Sequence, residues 1–143
     1  MRYRKSVFII VHSKTKKNTE YLILKRKLHW KGWEFPKGGV KSFETKKRAI
    51  KRELAEETGL DSIKIKKFNV SGKFKYAKEY SDRKGYLGQT YSLYAVEVKK
   101  KKIKLDDLEH SDYTWLEFRK AVKKLTWPNQ KKCLKIVDEW LKK

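Results

Sequence analysis

The chain has 143 residues and a formal net charge of +22, from 39 Lys and Arg against 17 Asp and Glu. That length suits one domain, residues 1–143, with a real core, and 38% hydrophobic with 13% aromatic residues excludes a disordered chain. The apolar run Val7 to Val11 is too short for a signal-peptide core or a membrane span, and the single Cys133 allows no intrachain disulfide, so a soluble cytoplasmic protein with no membrane partner is expected.

"SVFIIVHS" and "EYLILKRK" are β-branched and aliphatic runs separated by the polar "KTKKNT", which predicts two strands of a hairpin with a longer loop. "WKGWEFPKGGVKSFE" follows, and its glycines and proline predict a loop with a short extended piece. A helix comes next, with Thr45 as its N-cap and Gly59 at its C′ position. Ile63 to Val70 and Gln89 to Val98 read as strands, joined by the polar, tyrosine-bearing "KYAKEYSDRKGYLG". Two short helices close the chain, one around Leu116 to Leu125, the other opened by Pro128 and ending near Trp140. In the last of these, Leu134, Val137 and Leu141 recur at helical spacing and are expected to pack in the core. The element order implies a mixed α/β domain.

The basic excess admits two readings. A polyanionic partner such as RNA would explain it, and so would a lysine-biased composition that coats the whole surface with solvated ammonium groups. Lys outnumbers Arg 32 to 7, whereas phosphate and base recognition favours the planar fork of Arg.

Carboxylates are scarce, yet "KRELAEETGL" crowds Glu53, Glu56 and Glu57 onto one helical surface, an arc of about 100° at the border of the face bearing Ile50 and Leu54. Like charges at these spacings cost a few tenths of a kcal/mol each, and more when partly desolvated. Nearby lysines could offset that cost as surface ion pairs, Arg52 with Glu56 could make an i,i+4 pair, or a hard divalent cation could take the three carboxylates as ligands.

The surrounding residues carry a resemblance. Gly38, five residues, Glu44, seven residues, then Arg52, Glu53, Leu54, Glu56, Glu57, Gly59 and Leu60 resemble the signature of the Nudix hydrolases with every spacing intact. The resemblance implies an α/β/α sandwich around a mixed sheet, with the signature forming a loop, a helix and a loop. It also implies that Glu53, Glu56 and Glu57 ligate Mg²⁺ or Mn²⁺, that the Gly38 carbonyl adds a ligand, and that Arg52 orients a glutamate. The implied chemistry is hydrolysis of a diphosphate linkage in a nucleoside diphosphate joined to another group.

The flanks narrow this. Trp33, Pro36, Lys37 and Gly38, then Glu109, His110, Tyr113 and Trp115, resemble runs in the branch that holds asymmetric diadenosine tetraphosphate hydrolases and bacterial RNA 5′-pyrophosphohydrolases. By that resemblance Glu109 is a metal ligand or the general base, and Lys37 contacts a substrate phosphate. Trp33 and, among Tyr76, Tyr80, Tyr86, Tyr91 and Tyr94, chiefly Tyr76 and Tyr91 are candidates for stacking on a nucleobase, with packing as the alternative for each. The leading expectation is hydrolysis of diadenosine tetraphosphate, a small-molecule nucleotide, to ATP and AMP. Removal of phosphates from RNA 5′ ends is the alternative. A nucleic-acid-binding module without turnover is a third, disfavoured because a pure binder gains nothing from carboxylates clustered near phosphates.

Overall fold

The computed structural model describes residues 2–143. Its centre is β1 (Arg2–Lys14), which runs parallel to β6 (Tyr86–Val98) along most of its length, from Arg2 opposite Tyr86 to His12 opposite Glu97. β5 (Ser62–Lys75) closes that side antiparallel to β6. On the other side β2 (Thr19–Arg26) pairs antiparallel with β1, but only at the hairpin end, His12 to Lys14 with Thr19 to Tyr21.

Beyond that end the two strands part, and two short strands fill the fork. β3 (Gly32–Glu34) pairs with Leu24 to Arg26 of β2, and β4 (Lys37–Gly39) pairs with Ser6 to Phe8 of β1. The far edge of β2 is taken by β7 (His110–Glu117), from Glu20 opposite Glu117 to Arg26 opposite His110. The result is one mixed seven-stranded sheet. The glycine-rich segment expected to be mostly loop therefore lies inside the sheet, where it presents side chains to both flanking strands.

The period-2 alternation of β1 builds the layers. Phe8 and Ile10 point to one face with Tyr21, Ile23 and Leu93, covered by Cys133, Leu134 and Val137 of α3 (Pro128–Leu141) and Ala121 of α2 (Phe118–Lys124). Val7, Ile9 and Val11 point to the other with Leu22, Leu24 and Val96, covered by Ile50 and Leu54 of α1 (Lys46–Thr58). Each such side chain fully withdrawn from water contributes roughly 1.5–3 kcal/mol. The architecture is an α/β/α sandwich, and no helix among the described residues is long and apolar enough to cross a membrane.

The caps of α1 are those the sequence predicts: Thr45 Oγ1 accepts from the Arg48 amide at 3.2 Å, and Gly59, at φ 74°, donates to the Ala55 carbonyl. Three boundaries differ. β5 runs on to Lys75, across a register shift between Lys67 and Ser71. β6 begins at Tyr86 rather than Gln89. His110–Glu117 is a strand that the sequence reading missed, and Leu116 pairs with Tyr21 in it, so α2 starts at Phe118. An edge strand buries little, and the pattern of β7 is correspondingly weak in apolar residues.

Candidate active site

The fork between β1 and β2 opens against the C-terminal half of α1. Glu53 and Glu57 point into it and are 8% and 1% exposed, whereas Glu56 stands at the solvent rim. Gly38 is what lets Glu53 in: a Cβ built there would fall on the Glu53 carboxylate. Arg52 ties the loop to the helix. Its guanidinium donates to both Glu44 oxygens at 2.8 Å, to Glu53 at 2.7 Å and to the Gly39 carbonyl at 2.8 Å. The Arg52 hydrogen bonds and the Lys41 amide draw the Glu44 carboxyl down to about 2.

Glu57 is the unusual member. Both of its carboxylate oxygens are buried with no hydrogen-bond partner among the described residues. Burial, then the neighbouring charges of Glu53 and Glu109, push its pKa well up. Burial also raises Glu53, against the pull of Arg52. A buried carboxylate left without a donor costs on the order of 1–3 kcal/mol or more, so the site as built asks for a cation. Glu57, Glu109 and His110 offer donor atoms within 4.8 Å of one another, though the Nε2 of His110 is already bonded to Glu34. Hard carboxylate oxygens, with the Gly38 backbone alongside, fit Mg²⁺ or Mn²⁺ better than a soft metal.

The residue that organises the far wall is Glu34, to which the sequence reading gave no role. It is fully buried and meets the Arg26 guanidinium at 3.3 Å, His110 Nε2 at 3.0 Å, the Trp30 indole N–H at 3.1 Å and Lys37 Nζ at 3.5 Å. Burial alone would raise its pKa, but Lys37, the His110 bond and Arg26 together pull it down to about 2. The signal was one acidic residue between Trp33 and Phe35 in a segment with turn chemistry. Arg26 in turn reaches Glu109 at 3.3 Å and lies over the Trp30 ring, 4.7 Å from its centroid.

Two cavities meet here. A polar one of about 200 Å³ is lined by the carboxylates of Glu53, Glu56 and Glu109 and by the cations of Arg4, Arg26, Lys37 and Arg83. An aromatic one of about 450 Å³ is walled by Trp30, Phe74, Tyr76, Tyr80 and Trp127. Lys37 lines both, with its ammonium 4.4 Å from the Trp30 centroid and 5.0 Å from that of Phe74. Arg83 donates to the Tyr76 hydroxyl at 3.1 Å and to Gln89 at 3.0 Å, which braces the same boundary.

Of the residues singled out from sequence, Gly38, Arg52, Glu53, Glu56, Glu57, Glu109 and Lys37 come together around the polar cavity, and Tyr76 lines the aromatic one. Trp33 and Tyr91 lie elsewhere. Trp33 packs on the α2/α3 side, beneath the Lys124 ammonium at 4.6 Å, because β3 alternation turns it away from Glu34. Tyr91 is stacked flat on Phe8, with centroids 3.9 Å apart, inside the core. Trp30 and Trp127, which the sequence reading did not single out, line the cavity together with Tyr80, one of the tyrosines it did name.

The NUDIX domain model matches residues 2–135. The chain belongs to the Nudix family. An RNA pyrophosphohydrolase of a Nitratiruptor species is 34% identical to this Nudix chain over 124 residues, covering 82% of it and 80% of the relative. An RNA pyrophosphohydrolase of a Sulfurovum species is 28% identical over 152 residues, covering 98% and 94%. Among solved structures, a C. elegans Ap4A hydrolase in a binary complex superposes with a TM-score of 0.77 at 18% identity, covering 96% of this chain and 97% of that one, a likeness of fold.

Proposed function

We propose that this Nudix protein is a divalent-metal-dependent pyrophosphohydrolase that removes phosphates from RNA 5′ ends. The observation that carries the reading is Lys37, set between an aromatic cavity walled by Trp30, Phe74 and Tyr76 and a polar cavity lined by both carboxylates and cations. A 5′ nucleotide laid across it puts its base against Trp30 and Tyr76 and its phosphates beside Arg4, Lys37 and Arg83. RNA is preferred over the dinucleoside polyphosphate that the sequence alone puts first, because the two relatives that span most of the chain carry the RNA name.

Glu53, Glu56 and Glu57, with the Gly38 carbonyl, are the groups to hold Mg²⁺ or Mn²⁺. When bound, such an ion neutralises charge on a phosphoryl oxygen and lowers the pKa of a water. The chain's own residues do the rest. Arg52 fixes Glu53, Arg26 fixes Glu109 at the cavity edge, and Lys37 with Arg4 and Arg83 align the phosphates; most catalysis of phosphoryl transfer comes from such positioning. Water attacks phosphorus as the P–O–P bond breaks and its electron pair leaves on the bridging oxygen, and Glu109, in the lining of the polar cavity, accepts the proton of that water. A cytoplasmic location suits that substrate and the free Cys133.

The test is phosphate or pyrophosphate release from 5′-triphosphorylated RNA and from diadenosine tetraphosphate, with Mg²⁺, at two salt concentrations. Faster turnover of RNA, falling steeply with salt, is expected. Salt-insensitive preference for diadenosine tetraphosphate would instead favour the second reading, supported by the flanking sequence runs and the fold shared with the Ap4A hydrolase. Glu56→Gln must abolish either activity; a binding module would release no phosphate before or after the change.

A further inference from the structure

A third cavity lies beyond the polar one. It measures about 680 Å³ and adjoins the polar cavity at Arg4, Gly39 and Glu53, which line both. The three cavities follow one another down β1: Phe8 lines the aromatic one, Arg4 the polar one, and Arg2, Tyr3 and Lys5 the third. β4 repeats the order, since Lys37 borders the aromatic cavity and Gly39, at the other end of the strand, borders the third. The Arg4 guanidinium lies against Gly39, where any Cβ would collide with it. Both acids of the third lining, Glu44 and Glu53, are held by Arg52. That leaves the charges of Arg2, Arg4, Lys5 and Lys41 for a ligand.

Phe43 is the residue of this cavity that packing does not explain. Its side chain is fully exposed, and its backbone stands at φ 64°. The turn that holds it is closed by the Glu44 amide donating to the Lys41 carbonyl at 3.1 Å and the Lys41 amide donating to the Glu44 carboxylate at 2.9 Å. Phe43 is thus the third residue of a four-residue turn, and where that place takes positive φ glycine is the usual occupant. A bulky side chain there is an outlier that points to function when no contact offsets the strain. His29, at φ 68°, is the other such residue among those described, and its ring is held by Asp82 at 2.9 Å and Tyr80 at 4.3 Å. The Phe43 ring stands in solvent. Tyr3 and Tyr86 line the same cavity, but each already carries a cation, Lys73 at 5.0 Å and Arg2 at 4.9 Å. A bare aromatic ring in one lining with several cations suits a planar base whose phosphates are held beside it. Terminal phosphates alone would satisfy the cations and leave the ring in water.

We propose that the third cavity is a subsite for a nucleoside at the far end of the substrate's phosphate chain, with Phe43 as the stacking platform for its base. The inference rests on the reading of the polar cavity as the seat of the phosphates; it adds that substrates with a nucleoside at both ends are accepted beside RNA ends. One base sits against Trp30 and Tyr76, the phosphates run past Lys37 and Arg4, and the second base meets Phe43. Glycine at position 43 relieves the backbone and empties the subsite, so stability and binding move in opposite directions.

Diadenosine tetraphosphate and adenosine tetraphosphate differ only in the second adenosine, so the pair isolates it. Phe43→Gly and Phe43→Leu should each raise KM for diadenosine tetraphosphate about 10-fold and leave KM for adenosine tetraphosphate unchanged. Phe43→Trp should keep the wild-type KM or lower it. Leucine retains the strained backbone and the apolar bulk, so it separates the ring from the turn. Phe43→Gly should melt no lower than the wild type, which shows that its lost affinity is not lost folding. An unchanged KM for diadenosine tetraphosphate in both variants overturns the proposal. So does an equal rise for the two nucleotides, which would make Phe43 a support of the polar cavity. If the protein cleaves neither RNA nor nucleotide, titration calorimetry with the same two nucleotides in Ca²⁺ reads the same comparison. Weakened binding there of diadenosine tetraphosphate alone means that the hydrolase reading falls and the subsite stands; RNA hydrolysis with unaltered variant binding has the reverse meaning.

Discussion

Glu34 and His110 come from segments 76 residues apart, and the Glu34 carboxylate accepts from His110 Nε2 at 3.0 Å with both side chains fully buried. This bond ties the strand that fills the fork to the strand that begins just after Glu109. Because Glu34 also holds Arg26 and Lys37, it sets the far wall of the site without lining the polar cavity.

Glu34→Gln should therefore be costly. It leaves the Arg26 and Lys37 charges buried beside a neutral amide, a change worth about 3–5 kcal/mol where a buried pair is broken. The wild-type carboxyl is held at about 2, below its ordinary value of 4.5. Its stabilising contribution is thus complete above about pH 4.5 and is lost as pH falls from there through 2. Urea denaturation across that range should give a steeper acid limb for the wild type than for the variant. Parallel curves would exclude this account.

Glu57 carries the opposite sign. Its pKa in the folded protein is raised by burial and by Glu53 and Glu109. Without a divalent ion the folded state binds a proton that the unfolded state releases, so stability should fall as pH rises above the ordinary carboxylate range. Glu57→Gln should remove that slope, raise the melting temperature in EDTA by a few degrees near neutral pH, and abolish the stabilisation that added Mg²⁺ gives the wild type. Thermal melts with EDTA and with Mg²⁺ at several pH values decide it. An Mg²⁺ response that survives in Glu57→Gln would remove this residue from the ligand set.

Much of the architecture was legible because local signals agreed with the fold. Thr45 and Gly59 bracket α1 by cap chemistry, and the alternation of Val7 to Val11 sets both faces of the sheet. What escaped depends on pairings distant in sequence. β7 owes its strand form to β2, and the glycine segment becomes β3 and β4 only because β1 and β2 diverge around it. The acidic helix was readable for the same reason as its caps: its spacing is local. The aromatic wall was legible only in part: Tyr76 and Tyr80 line it, but Trp30 and Trp127 meet only through tertiary packing, at 6.5 Å, and Tyr91 satisfies the core. Glu34 looked like one polar residue among aromatics, and its role needs four partners from four places in the chain.

Gly38→Ala tests how tightly the loop and α1 fit. The added methyl has nowhere to go but the place of the Glu53 carboxylate, so Glu53 must swing away or β4 must leave its pairing with Val7. A displacement of about 1 Å at a proposed metal ligand can cost on the order of 100-fold in rate. The expected result is a drop of that size in kcat, with a higher Mg²⁺ requirement and little change in substrate KM. Near-normal kcat at ordinary Mg²⁺ would mean that Glu53 is free to move without consequence.

The aromatic cavity should govern binding and not the chemical step. Tyr76→Leu removes a ring from its wall, while Tyr76→Phe keeps the ring and breaks only the hydroxyl contacts to Gln89 at 2.8 Å and Arg83 at 3.1 Å. Base stacking on one aromatic ring is worth about 1–3 kcal/mol, so the leucine variant should raise KM about 10-fold or more, with kcat lowered only as much as loss of the hydroxyl lowers it in the phenylalanine variant. The phenylalanine variant separates the second role of the residue. Losing the Arg83 contact should loosen the guanidinium beside the phosphates and lower kcat modestly, with KM close to that of the wild type. Steady-state kinetics on a triphosphorylated dinucleotide read both. If the leucine variant lost kcat and kept its KM, the ring would be bracing the polar cavity and the base would have to sit elsewhere.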